Sequence, residues 1–147
     1  MIGDRICGKT LRPLGVATVI ALTSLGSYSC IAVAADLNIE LAGDQEVPPV
    51  KSAGYGKGTI TIGTDGAVSG SVVTTGISGT AAHIHEAAKD KNGPVIIPLT
   101  KDGNAYSVPA GAKLTELQLA SFRAGNLYVN VHTAANPGGE IRAQLLP

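Results

Sequence analysis

The sequence predicts an all-β fold, an antiparallel Greek-key-like β-sandwich of about seven or eight strands with one short helix. Val, Ile and Thr are dense, and 19 glycines and 8 prolines divide the chain into short segments. β-branched residues favour strands, whereas Gly and Pro favour the turns that join them. Many short strands separated by turns are typical of a sandwich or an incompletely closed barrel.

Alternation of apolar and polar residues defines the predicted strands, as in the segment 37–41, where every second side chain is aliphatic. The turn signal Thr64-Asp65-Gly66 predicts a hairpin between two of them. In the last strand, Ile141 faces inward and Arg142 and its polar neighbours face outward. The strands are predicted over residues 37–41, 58–64, 67–75, 80–86, 95–99, 104–108, 126–134 and 140–146.

One helix is predicted over residues 115–124. Thr115 stands at the N-cap, and Gln118 follows at the spacing of a capping box. Gly125 ends the helix. Its apolar side is predicted to comprise Leu114, Leu117, Leu119 and Phe122.

The first 34 residues have the composition of a secretory signal peptide. Three basic residues precede an apolar run over 14–25, and the small residues of Ala32-Val33-Ala34 follow it. The run is too short to span a bilayer, and we expect cleavage after Ala34 or Ala35. The alternative is a lipoprotein acylated at Cys30, but that cysteine lacks the usual aliphatic residue three positions before it.

Removal of this leader leaves about 113 residues, enough for one domain. Both cysteines leave with it, so the mature chain has no disulfide. Its 8 Lys and Arg against 10 Asp and Glu give a formal charge of −2 with no basic patch. Nucleic acid is therefore not an expected partner, and no membrane span is expected in the mature protein. We expect an exported protein, periplasmic or secreted, with an unknown partner.

All three histidines lie in two predicted strands. His83 and His85 share one strand face, and His132 lies on the polar face of its strand with Tyr128 and Asn130. If these strands are neighbours, the imidazoles can converge on a mononuclear copper or zinc site with an open fourth position.

The alternative for the histidines is a hydrogen-bonding role. In that interpretation His132 pairs with Glu140, and His85 pairs with Glu86 or with a loop carbonyl. The sequence favours this role over metal binding, because polar side chains on a sheet face commonly serve it.

A second candidate set comprises Glu46, Glu140 and Arg142. An arginine can bind a carboxylate or sugar acid through two parallel hydrogen bonds. The favoured alternative ties Arg142 to Glu140, Glu46 or a loop carbonyl, which would pin residues 47–50 to the last strand. Tyr128 and Asn130 can extend either site. No catalytic residue is predicted, since no nucleophile motif is present.

Several segments together resemble the CHRD domain, a module named after chordin and common in exported bacterial proteins. They are LAGDQEVPPV (41–50), HIH (83–85), NGPV (92–95), GNLYVNVHT (125–133) and NPGGEIR (136–142). The resemblance covers residues 36–147 and implies an all-β domain. Because chordin is an extracellular binding protein, it also implies a non-catalytic binding or interaction module, without naming the ligand.

The strand His83-Ile84-His85-Glu86 is also similar to the copper-binding strand of copper/zinc superoxide dismutase. That enzyme uses about six histidines, an aspartate and a structural disulfide. This chain has three histidines and no mature cysteine. We therefore expect no dismutase activity.

Overall fold

The computed structural model describes residues 34–147. The predicted signal peptide, with Cys7 and Cys30, lies outside the described residues. The described chain forms strands β1 (Ala35–Ala42), β2 (Tyr55–Ile62), β3 (Val68–Thr75), β4 (Gly79–Glu86), β5 (Val95–Pro98), β6 (Thr100–Asp102), β7 (Ala105–Ser107), β8 (Leu127–Thr133) and β9 (Ile141–Leu145), with helix α1 (Glu116–Arg123) and a 3-10 turn at Gly43–Gln45.

All strand pairs are antiparallel, and the strands follow the order β5-β4-β8-β9-β1-β2-β3-β7-β6. A single residue pair, Ala42 with Arg142, joins β9 to β1, so the sheet divides there into halves of four and five strands. At the other end, only Leu99 separates β5 from β6. The two outer strands are thus consecutive in the chain, and the sheet nearly closes into a barrel-like sandwich. The predicted fold class is confirmed.

Residues 34–147 contain nine strands, and β6 is the one that the pattern missed. Its residues Thr100, Lys101 and Asp102 are polar and exposed, so no apolar alternation marks them. The strand forms because β7 offers it a pairing edge, from Thr100 opposite Ser107 to Asp102 opposite Ala105. Tertiary context of this kind decides strand formation where local preference is weak.

The interior is filled by aliphatic side chains of both halves, including Leu41, Ile60, Ile84 and Val131, each at most 1% exposed. Helix α1 begins with the predicted capping box between Thr115 and Gln118. It covers one end of the core with Leu119 and Phe122.

Leu117 corrects the predicted apolar side of the helix, because it is 81% exposed. It lies two positions before Leu119, which is more than half a helical turn, so the two side chains point in nearly opposite directions. No helix among residues 34–147 is long and apolar enough to cross a membrane.

Candidate metal centre

The three histidines lie on the face of the four-stranded half that points away from the core. Across β4, β8 and β9, His83 pairs with Asn130 and Asn130 with Arg142. In an antiparallel ladder, residues that stand opposite each other project from the same face. We call this surface the polar face. It comprises His83, His85, Tyr128, Asn130, His132, Arg142 and Gln144, together with Glu46, which approaches from the segment after β1.

Two loops cover much of the polar face, residues 87–94 between β4 and β5 and residues 134–140 between β8 and β9. As a result Arg142, which the alternation predicts to face outward, is only 2% exposed. Its orientation is as predicted, but the surface it faces is occupied by these loops. His85 and Asn130 are buried in the same way, whereas His83 and His132 are half-buried.

The polar face brings the three imidazoles together. One nitrogen from each of His83, His85 and His132 lies within 4.8 Å of the others. The Nδ1 atom of His83 is 2.9 Å from Nε2 of His132, and the ring centroids of His83 and His85 are 5.6 Å apart. The convergence predicted from strand alternation is therefore present.

Backbone carbonyls fix the orientation of two imidazoles. Nδ1 of His85 donates to the carbonyl of Gly93 at 2.9 Å, and Nδ1 of His132 donates to the carbonyl of Pro137 at 2.9 Å. This hydrogen-bond assignment puts the proton on Nδ1 and leaves Nε2 of each ring with a lone pair. A histidine whose Nδ1–H donates to a carbonyl is the usual arrangement around a bound metal.

His85 Nε2 is buried and has no hydrogen-bond partner among the described residues. Burial lowers the pKa of the His85 side chain, as does the neighbouring His132, while the Gly93 carbonyl and the Asn130 side chain oppose this shift. Burial and the two neighbouring histidines likewise lower the pKa of His83. Both imidazoles are therefore held in the neutral form that binds metals.

The spacing of the nitrogens is close to what a metal needs. Zinc–nitrogen bonds of about 2.0–2.1 Å in a tetrahedral site put ligand nitrogens about 3.3–3.4 Å apart. The 2.9 Å between His83 Nδ1 and His132 Nε2 is a hydrogen bond, in which His83 Nδ1–H donates to the Nε2 lone pair of His132, and the 4.8 Å limit on the whole set is longer than the metal spacing. A metal held by all three rings would replace the hydrogen bond between His83 and His132.

Gly93 connects the loop 87–94 to the cluster. Its carbonyl accepts from His85, and its N–H donates to the hydroxyl of Tyr128 at 3.3 Å. A Cβ at this position would overlap the backbone carbonyl of Glu86, so only glycine fits so closely against β4.

Arg142, Tyr128 and His85 form a stack across three neighbouring strands. The guanidinium carbon of Arg142 lies 3.4 Å from the centre of the Tyr128 ring. The Tyr128 ring lies parallel to that of His85, at 4.8 Å and 7°. Because β8 lies between β4 and β9, the tyrosine ring separates the cation from the imidazole. This stack fixes the plane of the His85 ring.

Arg142 is tied to the polar face through amides. It donates to Asn92 at 3.3 Å and to Gln144 at 3.1 Å, and Asn92 donates to the carbonyl of Val47 at 2.7 Å. The segment 47–50 is thus connected to β9 through Asn92. The expected direct partners of Arg142, which were Glu140, Glu46 or a loop carbonyl, make no hydrogen bond or ion pair with it among the described residues.

Glu46 is 4% exposed, and its Oε1 has no hydrogen-bond partner. Burial raises the pKa of this carboxyl, while the charge of Arg142 and the side chain of Asn130 oppose the rise. Gly139 lies directly against it, since a Cβ there would meet both Glu46 and the Asn130 amide.

Of the predicted site residues, Glu140 is the one whose side chain is not part of the polar face. Its carboxylate accepts from Ser52 at 2.7 Å and from Thr133. These hydrogen bonds lower the pKa of Glu140. The suggested pairing of His132 with Glu140 is therefore wrong, because Pro137 holds His132.

The suggested pairing of His85 with Glu86 is also wrong, because adjacent strand residues point to opposite faces and Glu86 accepts from Ser121. The alternative partner, a loop carbonyl, is confirmed by Gly93. The Pro137 carbonyl, which accepts from His132, is the partner that side-chain reasoning missed. The turn sequence Asn136-Pro137-Gly138-Gly139 is the only signal of it in the sequence.

The fold and the site define an all-β domain with a cluster of three histidines on one face of the sandwich. The chain belongs to the CHRD family, since the family model, described as CHRD domain, matches residues 37–145. Comparisons with curated proteins and with solved structures give no significant match.

Proposed function

We propose that this CHRD domain is a non-catalytic binding module of an exported protein, and that it binds one copper or zinc ion through His83, His85 and His132. The observation that carries the proposal is His85 Nε2, a buried lone pair without a donor, in a cluster of three imidazoles whose nitrogens lie within 4.8 Å of one another. A metal ion supplies the missing partner for this nitrogen, and His132 Nε2 is oriented by the same kind of carbonyl contact.

The ligand type supports copper or zinc over harder metals. The set consists of imidazole nitrogens, which suit copper and zinc, whereas magnesium and calcium prefer oxygen ligands. Residues 34–147 contain no cysteine or methionine, so these three histidines are the only imidazole or sulfur ligands there.

Metal analysis tests the proposal. The full 147-residue chain is expressed with export and purified without chelator, and bound metal is measured by mass spectrometry. We expect close to one copper or zinc ion per chain, and loss of that ion in His85→Ala and in His132→Ala. Thr59→Ala, an exposed position on the other half of the sandwich, is the control and should retain the metal.

A protein that takes up no copper or zinc even on titration would contradict the proposal. Metal retained in both histidine variants would contradict it equally. For the copper form, electron paramagnetic resonance should show hyperfine coupling to three nitrogens.

Export rests on the composition of residues 1–34. The purified protein should begin at Ala35 or Asp36, which N-terminal sequencing measures. A mature protein that begins at Met1 would contradict export through a cleaved signal peptide. The non-catalytic assignment is tested against the dismutase likeness: the copper-loaded protein should show no more dismutase activity than its His132→Ala variant.

A further inference from the structure

The polar face carries more unpartnered acceptors than the metal itself would bind. Among residues 34–147, four buried side-chain polar atoms lack a hydrogen-bond partner: Glu46 Oε1, His85 Nε2, Asn130 Oδ1 and Tyr106 Oη. The first three belong to the polar face. His85 Nε2 is assigned above to the metal, which leaves the two oxygens of Asn130 and Glu46 unexplained.

The Asn130 amide has a defined direction. Its Nδ2 is oriented to the Gly138 carbonyl at 3.5 Å, and this same nitrogen and Glu46 Oε1 both lie where a Cβ on Gly139 would be. The amide nitrogen thus faces Glu46 and the turn 136–139. Asn130 Oδ1 is then the end of the amide that faces the histidines, opposite His83 in the ladder and next to His85.

We propose that Asn130 Oδ1 accepts a hydrogen bond from the ligand in the fourth position of the metal, so that this position favours a proton-bearing ligand such as water over an anion. The inference rests on the proposed metal site. Three histidines leave one tetrahedral position open. A buried carbonyl oxygen beside that position is stabilised by a ligand that has a proton to donate and is destabilised by one that has none.

Glu46 acts in this arrangement as a positioning residue. Its carboxyl group attracts the amide nitrogen of Asn130 and so keeps Oδ1 turned to the histidines. Arg142 is the buried cation nearby, but its guanidinium lies on the far side of the Tyr128 ring from His85 and donates to Asn92 and Gln144.

The test uses the copper-loaded full-length product and sodium azide, a small anion without a proton at neutral pH. In the wild-type protein, pulsed electron paramagnetic resonance in D₂O should detect an exchangeable water on copper. Azide, followed by its charge-transfer absorption, should bind weakly. Asn130→Ala should bind azide at least tenfold more tightly while retaining one copper ion. Glu46→Gln should change azide affinity in the same direction by a smaller factor.

Asn38→Ala is the matched control, since Asn38 is an exposed asparagine on β1 and its loss should leave azide affinity unchanged. Circular dichroism and copper stoichiometry establish that each variant is folded. If the Asn130→Ala variant does not fold, the azide affinity of Glu46→Gln provides the test.

The outcomes separate the two proposals. Copper that does not bind to wild type overturns the metal site and this inference together. Copper that binds without an exchangeable water, or azide affinity that is equal in wild type and both variants, overturns the inference alone and leaves the three-histidine site intact.

Discussion

Replacement of Gly93 by alanine should disrupt the proposed metal site without changing any of the histidines. Gly93 sits where the loop 87–94 contacts β4, and a Cβ there would overlap the carbonyl oxygen of Glu86. That oxygen belongs to the backbone, so no side-chain rotation relieves the overlap. The loop must move away from the strand, and the contacts that it makes with the polar face are lost.

Three hydrogen bonds depend on this close approach. They are His85 to the Gly93 carbonyl at 2.9 Å, Gly93 N–H to Tyr128 at 3.3 Å and Glu86 N–H to the Pro94 carbonyl at 3.1 Å. At about 0.5–1.5 kcal/mol each, their loss lowers the free energy of unfolding by about 2–4 kcal/mol. Loss of a partner that orients a metal-ligating histidine typically weakens metal binding by about 10–100-fold.

Urea unfolding of the metal-free protein measures the first effect, and a competition titration with a chromogenic chelator measures the second. Gly138→Ala is the matched control. A Cβ at Gly138 meets nothing within 4 Å, and its backbone is outside the left-handed region, so stability should change by no more than about 0.5 kcal/mol. A Gly93→Ala variant as stable as Gly138→Ala, with wild-type metal affinity, would refute the role given to this loop.

Three further predictions concern the fold that carries the site. Thr115→Ala removes the capping-box oxygen of α1 and should cost about 1 kcal/mol in urea unfolding, with metal stoichiometry unchanged. Ile84→Ala opens a cavity on the core face, directly behind the histidines, and should cost about 2–5 kcal/mol; a loss under 1 kcal/mol would show that Ile84 is not core. Hydrogen bonds from Ser52 and Thr133 lower the pKa of Glu140, so its stabilising contribution is complete above the ordinary carboxyl pKa of about 4.5 and is lost as pH falls through the lower folded value. Glu140→Gln should therefore flatten the decline of stability with acid in this range, and an unchanged pH dependence would contradict the assignment.

Strand alternation predicted most of this fold because the two faces of each strand differ in polarity. The segment 80–86 places Ile84 in the core and both neighbouring histidines on the opposite face, and the structure has this arrangement. The same logic fails where a strand is polar on both faces, as in Thr100–Asp102. There the pairing edge of β7 decides the structure, and that edge exists only after the chain has folded.

The sequence could predict the convergence of the histidines only on the condition that their two strands are neighbours. Alternation predicts which face of the strand each histidine is on. The distance between the histidines depends on the pairing of β4 with β8, and these strands are far apart in the sequence. The burial of Arg142 was even harder to predict from the sequence. It depends on two loops that fold back over the polar face, and loop paths follow from turn geometry and not from residue periodicity.

The burial of so many polar groups in a small domain itself argues for a bound partner. A buried acceptor left without a donor costs about 1–3 kcal/mol, and a domain of this size has a total stability of about 5–15 kcal/mol. Glu46 Oε1, His85 Nε2 and Asn130 Oδ1 all incur this cost on one face. If the only role of the polar face were packing, apolar residues of similar volume would stabilise the domain equally well or better. A cation bound by the histidines, with a proton-bearing ligand donating to Asn130, offsets the cost at His85 and at Asn130 and makes the domain more stable when loaded. Metal should therefore raise the melting temperature of the wild-type protein and leave that of His85→Ala unchanged, and equal melting curves with and without metal would remove this argument.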